Sequence, residues 1–257
     1  MTECYQLLFD TAILAGEITL ESGAEIFRVE DTTRRILRLT GLQTVEVFAT
    51  TTGLFVTLAD PSISPITQVR RINSRATNLN RIALVNEVSR ELCDKKITPQ
   101  DAIARLQEIR RTPSYPLWIV SLGLLLSTMG FAVLFGGGIA EVAASGICCC
   151  AMRGAELLIC RRISSSFIGN AIQSLAIAFT ANLFYAFYPT LLVDTVIISS
   201  IMPLVPGVPI TNAIRDTLQG DYTAGLARSA EAFVCALAIA VGSLAGTCLC
   251  RMAVGWF

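Results

Sequence analysis

The sequence predicts an N-terminal cytoplasmic α+β domain followed by an all-α transmembrane domain of about five helices. Three observations lead there. Hydrophobic residues make up 53% of the 257 residues and charged residues only 16%, against about a quarter charged in an ordinary soluble domain. The charges crowd into residues 1–116 and thin out over 117–257. The second part also holds a run without charge, 116–140, long enough to cross a hydrocarbon core of about 30 Å. The expected domains are 1–115 and 116–257.

In the first half, residues 4–22 read as a helix. In "SGAEIFRVEDTTRRILRLTG" (22–41), Ile26, Val29, Thr33 and Ile36 recur on one face and Gly41 supplies a stop. The opposite face carries Arg28, Glu30, Asp31, Arg34, Arg35 and Arg38. Positions 28 and 31 share a face, so Arg28, Glu30 and Asp31 form a functional polar cluster, a solvated face or a salt-bridged interface with another subunit. "TVEVFAT" and "GLFVTLA" alternate and meet through "TTG", a hairpin signal, and "ITQVRRI" (66–72) is a candidate third strand. Residues 76–93 predict a helix with Leu79, Ile82, Val85 and Leu92 inward. "TPQDAIARLQEIRR" predicts another, with Thr98 as N-cap and Pro99 in the first turn.

The second half predicts five spans, at 116–140, 141–162, 165–188, 191–205 and 231–250. Arg153 and Glu156 weaken the second, but their i, i+3 spacing lets them pair. Arginine placement puts the N-terminal domain, Arg110, Arg111, Arg161, Arg162, Arg215 and Arg228 on the cytoplasmic side, with the C-terminus outside. Arg251 alone disagrees. The acidic N-terminus lacks the basic region of a signal peptide and is expected to stay uncleaved in the cytoplasm.

Several chemistries are excluded. With no histidine, Ser-His-Asp and Cys-His catalysis and HExxH zinc sites are impossible. There is no phosphate loop, and the cysteines of "CCC" (148–150) and "CLC" (248–250) sit in apolar runs without paired metal spacing. They read as small packing residues. No catalytic residue, metal or cofactor is expected. Zero net charge without a basic tract excludes nucleic acid as a partner.

Polar residues inside spans are costly, which draws attention to them. Asn170, Gln173 and Ser174 share a face of the third span, continued by Asn182, and serve either as helix–helix glue or as a substrate surface. Asp194 is either a proton carrier or a hydrated end residue. "GSLAG" (242–246) is a GxxxG packing match.

The remaining feature is "PLVPGVP" (203–209), followed by "ITNAIRD". Prolines three apart fit one edge of a polyproline II turn, and Gly207 allows close backbone approach. A broken backbone before a helix N-terminus is how many transporters hold anionic groups. The plainer reading is a rigid turn that ends the fourth span.

"SGAEIFRVEDTTRRI", "VFATTTGLFVTL" and "PGVPITNAIRDTLQGDYTAGLARSAEA" together resemble the threonine/serine exporter family. The resemblance implies a proton-motive-force-driven secondary exporter of small polar metabolites in the cell's inner membrane. The chain is similar to the larger subunit of split forms, which implies a small membrane subunit as partner, a homo- or hetero-oligomer and a lipid bilayer around it. Some split relatives are associated with dicarboxylate (succinate-type) export. Matching motif positions are Ser22, Gly23, Glu25, Arg28, Glu30 and Asp31, then Pro206, Gly207, Pro209, Asn212, Arg215, Asp216, Gly220, Asp221 and Gly225. On this reading Asn212, Arg215 and the backbone at Gly207 hold a substrate carboxylate, with Asn170 and Gln173 as further substrate contacts. Asp216 or Asp194 exchanges protons, while Pro206, Pro209 and Asp221 are structural. The alternatives are a ligand-sensing membrane subunit and a passive structural one.

Overall fold

The computed structural model describes residues 2–112, 115–160, 163 and 165–255. By internal contacts the chain divides into two compact units. One is Met1–Pro113 with Val208–Ala230; the other is Ser114–Gly207 with Glu231–Phe257. The first break falls between 113 and 114, and the segment 208–230 after the prolines groups with the first unit.

The first unit is built around α1 (Thr2–Glu21). Its Leu8, Phe9, Ala12, Ile13, Ile18 and Leu20 are all buried, as befits a helix that is apolar on most of its circumference. Around it lie α2 (Ile26–Arg38), α3 (Leu79–Cys93), α4 (Pro99–Arg111) and the antiparallel sheet β1 (Thr44–Thr50), β2 (Gly53–Asp60), β3 (Ile63–Arg71), in that order. Val47, Ala49, Leu54, Val56 and Leu58 turn one sheet face into this core, the period of two expected of a half-buried sheet. Gly16 lets α1 approach closely, because a Cβ there would overlap the Thr33 hydroxyl and the Leu54 side chain.

Local signals in this unit were read well. Ile26, Val29, Thr33 and Ile36 are buried, and Thr98 and Asp101 form a reciprocal capping box at α4. Two expectations needed correction. The helix expected from 76 begins at Leu79, because the Ala76 and Asn78 N–H groups donate to the Glu21 and Ser22 carbonyls at 3.0 Å. Asn78 then caps α3, its side chain accepting from Arg81 N–H. Leu79, expected inward, is exposed at this helix start.

The second unit holds α5 (Leu117–Leu134), α6 (Ile139–Leu158), α7 (Ser166–Phe187), α8 (Val193–Ile201) and residues 231–254 of α10 (Tyr222–Val254). Each of the five predicted apolar stretches contains a helix. Among the described residues, α5, α7 and α10 are long and apolar enough to cross a bilayer, or four spans result if α8 and the following helix count as one broken span. Charged Glu141, Arg153 and Glu156 interrupt α6. The nine residues of α8 reach only about 14 Å at the usual helical rise. Arg161 and Arg162, used for orientation, lie outside the described residues.

In lipid, apolar side chains gain little by touching each other rather than acyl chains, so small residues and buried hydrogen bonds hold helices together. On α10, a Cβ at Gly242 would overlap the Ala171 carbonyl and Ser174 hydroxyl, and one at Gly246 the Leu175 carbonyl. The GxxxG match is therefore a close α7–α10 contact. Glu141 brackets two turns: it accepts from Gly138 N–H at 2.8 Å and from Leu192 N–H at 3.0 Å. The hydroxyls of Ser145 and Ser199 lie 2.8 Å apart. Cys148 and Cys149 are buried among apolar neighbours as packing residues.

Gly242→Val is expected to destabilise the purified protein by about 1–3 kcal/mol through overpacking. That is a fall in Tm of roughly 2–10 °C, read by thermal denaturation in detergent. Gly123→Ala on α5, where a Cβ meets nothing within 4 Å, should leave Tm unchanged.

Candidate functional site

The proline stretch does not form a polyproline II edge. Pro203 sits in a short 3-10 turn, Met202–Leu204, and Val205 after it is extended, at ψ 127°. The helix α9 (Gly207–Leu218) starts directly after Pro206 and holds Pro209 in its first turn. Leading N–H groups of a helix have no intrahelical acceptor, so proline fits there without losing a hydrogen bond. A Cβ on Gly207 would meet nothing within 4 Å, so close approach is not what a glycine provides there.

The end of α9 is equally legible. Gly220 is left-handed at φ +89°, its N–H donates to Thr217 O, and Asp221 N–H donates to Asp216 O at 2.8 Å. This is a Schellman closure, with glycine where a side chain would be strained. Asp221 then precedes α10, whose Gly225 N–H donates back to its carbonyl. The acid sits where the helix dipole favours negative charge. A Cβ at Gly225 would overlap the Thr217 hydroxyl, so this glycine lets the first turn of α10 pack on α9.

That tight pair presents four polar groups to the α1–α2 joint, all within the first unit. Gly23 closes α1 at φ +79°, and α2 starts at Ile26 without a side-chain cap of its own. Asp216 supplies it: Ile26 N–H donates to Asp216 Oδ1 at 3.1 Å. Asp216 Oδ2 lies 3.0 Å from Arg228 Nε, and Arg228 Nη2 donates to Ala24 O at 2.6 Å. Asn212 Nδ2 donates to Gly23 O at 2.9 Å. Arg215 pairs with Glu25, the guanidinium 54% exposed and the carboxylate 11%. Glu25 also lies 3.6 Å from Arg28.

Asp216 is fully buried and Arg228 only 4% exposed. Burial, the strongest influence on Asp216, pushes its carboxyl above the ordinary range, while Arg228 and the Ile26 N–H pull the other way. The arrangement can hold a charge or a proton at one buried carboxyl, and either state changes what caps α2.

The other predicted residues are dispersed. Glu30 Oε1 accepts from Ala49 N–H of β1 at 2.9 Å, and burial pushes this carboxyl up as well. Asp31 pairs with Arg35 at 2.8 Å, both lining a groove of about 330 Å³ against α3. Asn170 Nδ2 donates to Cys235 Sγ at 3.0 Å, and Gln173 donates to the Gly169 carbonyl of its own helix. Asp194 is the second residue of α8. In the sequence Arg228 bears only on orientation. Its signal is an arginine at the edge of the apolar run of α10, a residue type rarely buried without a partner.

Residues 10–250 match the family described as "Putative threonine/serine exporter". The chain is 26% identical to a "Probable succinate transporter subunit YjjP" of Escherichia coli K12, over 94% of this chain and 94% of that one. It is 27% identical to the protein of the same description from Klebsiella aerogenes, over 87% of this chain and 86% of that one. It is 25% identical to a "Probable threonine/serine exporter" of Mycobacterium tuberculosis, covering 92% of this chain but 45% of the relative. No solved structure matches the chain.

Two predictions follow from the buried pair. Arg228→Leu is expected to cost about 3–5 kcal/mol, because it leaves the Asp216 charge buried alone. The double variant with Asp216→Leu should cost less than the sum of the two single changes, read as Tm in a double-mutant cycle. The second concerns pH. A carboxyl whose folded value is raised above 3.8 binds protons more tightly when folded, so its contribution to stability falls as pH rises through the interval above 3.8 and is level beyond the folded value. Asp216→Asn should therefore gain on wild type as pH is raised from about 4 to 7. A difference in Tm that stays flat across that range would show that Asp216 ionises normally.

Proposed function

Because the chain belongs to the threonine/serine exporter family, we propose that it is a membrane subunit of a secondary exporter, driven by the proton motive force and moving threonine- and serine-type metabolites out of the cell. It works in the inner membrane with a second, small membrane subunit in a homo- or hetero-oligomer. The first unit faces the cytoplasm. The apolar helices α5, α6, α7 and α10 cross the bilayer, and the short α8 enters it without crossing alone. Two relatives described as transporter subunits support the partner.

The observation that carries the reading is the buried Asp216 carboxyl, which spans Ile26 N–H and Arg228 at once. A proton taken up there removes the charge that Arg228 balances and weakens the cap on α2. Beside it, Arg215 is half exposed and already holds a carboxylate, that of Glu25. A substrate carboxylate would replace Glu25 like for like, and the Asn212 amide would exchange the Gly23 carbonyl for the same ligand. Loading is thereby linked to the group that titrates. A dicarboxylate is the second reading, favoured by the two succinate-named relatives that match over most of their lengths. One terminal carboxylate suffices for the same exchange.

Counterflow of labelled threonine, serine and succinate into vesicles carrying both subunits tests this. Arg215→Ala and Asp216→Asn should each reduce the rate at least about tenfold, the loss of one charge-assisted contact. Asp216→Asn should also abolish the response to an imposed pH gradient. Wild-type rates in both variants at normal protein levels would end the assignment.

A further inference from the structure

The second unit contains an open cavity of about 640 Å³, within the range of small-molecule sites. It is lined by Asn182 and Tyr185 from the end of α7, Asp194 from the first turn of α8, and Cys250 and Arg251 from the last turns of α10. Asp194 and Arg251 carry opposite charges into one space. Among the described residues, Asp194 forms no ion pair and no side-chain hydrogen bond, and neither does Arg251. Each is stable where it stands. An acid in the first turn of α8 and a base in the last turn of α10 both complement their helix dipoles. Helix ends alone would not require them to converge on the same cavity.

Asn182 is held firmly on the wall between them. Its Nδ2 donates to Ala178 O at 2.8 Å and to Thr247 Oγ1 at 3.1 Å. Its carbonyl oxygen is left without a partner among the described residues and available as an acceptor.

From this convergence we propose that the cavity is a binding site for a small zwitterion, whose carboxylate pairs with Arg251 and whose ammonium pairs with Asp194. The charge pattern sets the selectivity. A dicarboxylate would place its second anionic group against Asp194, and like charges repel. A monocarboxylate without an amine would leave Asp194 unpaired. Only a ligand with both signs satisfies both walls. The site is distinct from Asn212, Arg215 and Asp216, which belong to the first unit, and it rests on the exporter reading for its physiological ligand.

The test is equilibrium binding to the full chain in lipid nanodiscs. The probes are labelled threonine, 3-hydroxybutyrate (the same skeleton without the ammonium) and succinate. Wild type should prefer threonine over 3-hydroxybutyrate by at least about tenfold, one charge-assisted contact's worth. Asp194→Asn should bring that ratio close to one while 3-hydroxybutyrate binds as before. Arg251→Gln should weaken both ligands by about tenfold. Arg215→Ala should leave this binding untouched. A ratio that does not move in Asp194→Asn, undiminished threonine binding in Arg251→Gln, or no saturable threonine binding in wild type would each overturn the site. Export that persists alongside such a result keeps the exporter reading and removes only the cavity. Binding that shifts as expected in a chain and partner that export nothing does the reverse.

Discussion

Asp216 constrains everything around it. A carboxylate with no exposure is costly to bury, and it is tolerated only because an almost equally buried guanidinium and a backbone N–H meet its two oxygens. Those partners come from far apart in the chain: Ile26 and Asp216 are 190 positions distant. Once the pair forms, α9, the start of α10 and the α1–α2 joint are held in one geometry. Gly225, Gly220 and Gly23 follow from it, one for close packing and two for left-handed closures. Motif residues that look like a ligand site in the sequence are thereby also the joint of a small α+β fold.

The second unit obeys a different constraint. Its helices cannot rely on the hydrophobic effect for mutual attraction, so contact is bought by small residues and satisfied polar groups. Gly242 and Gly246 bring α10 against α7, while Asn170 and Asn182 each reach an α10 side chain across that contact. Glu141 satisfies two turn amides that would otherwise stand unpaired in an apolar setting. The asparagine face therefore does hold helices together. Asn182 also lines a cavity, so one residue serves packing and surface at once.

Much of the fold was legible because its causes are local. Alternation marked β1 and β2, a Thr-Pro-x-Asp start marked α4, and the face of α2 placed Ile26, Val29 and Ile36 in the core. Misreadings arose where distant backbone competes for hydrogen bonds. Residues 76–78 look helical alone but pair with the end of α1. The prolines at 203, 206 and 209 suggested a polyproline edge, yet flanking turns absorb them into a 3-10 turn and a helix start, where a missing N–H is harmless.

By itself the sequence determined that a run of apolar helices suited to lipid follows a more charged α+β half, most of the helices and strands of both, and the residues in its long motifs. Composition and periodicity act over a few turns, so they survive being read in one dimension. Only the tertiary structure decided what those motif residues touch. Asn212, Arg215 and Asp216 share a helix with Pro209, but their partners Gly23, Glu25, Ile26 and Arg228 are chosen by the need to pair buried charge and backbone groups. Likewise, Asp194 and Arg251 are 57 positions apart as 251 − 194, and nothing local foretells that they line one cavity. Burial and pairing are properties of three-dimensional proximity, and that is where the candidate chemistry of this protein resides.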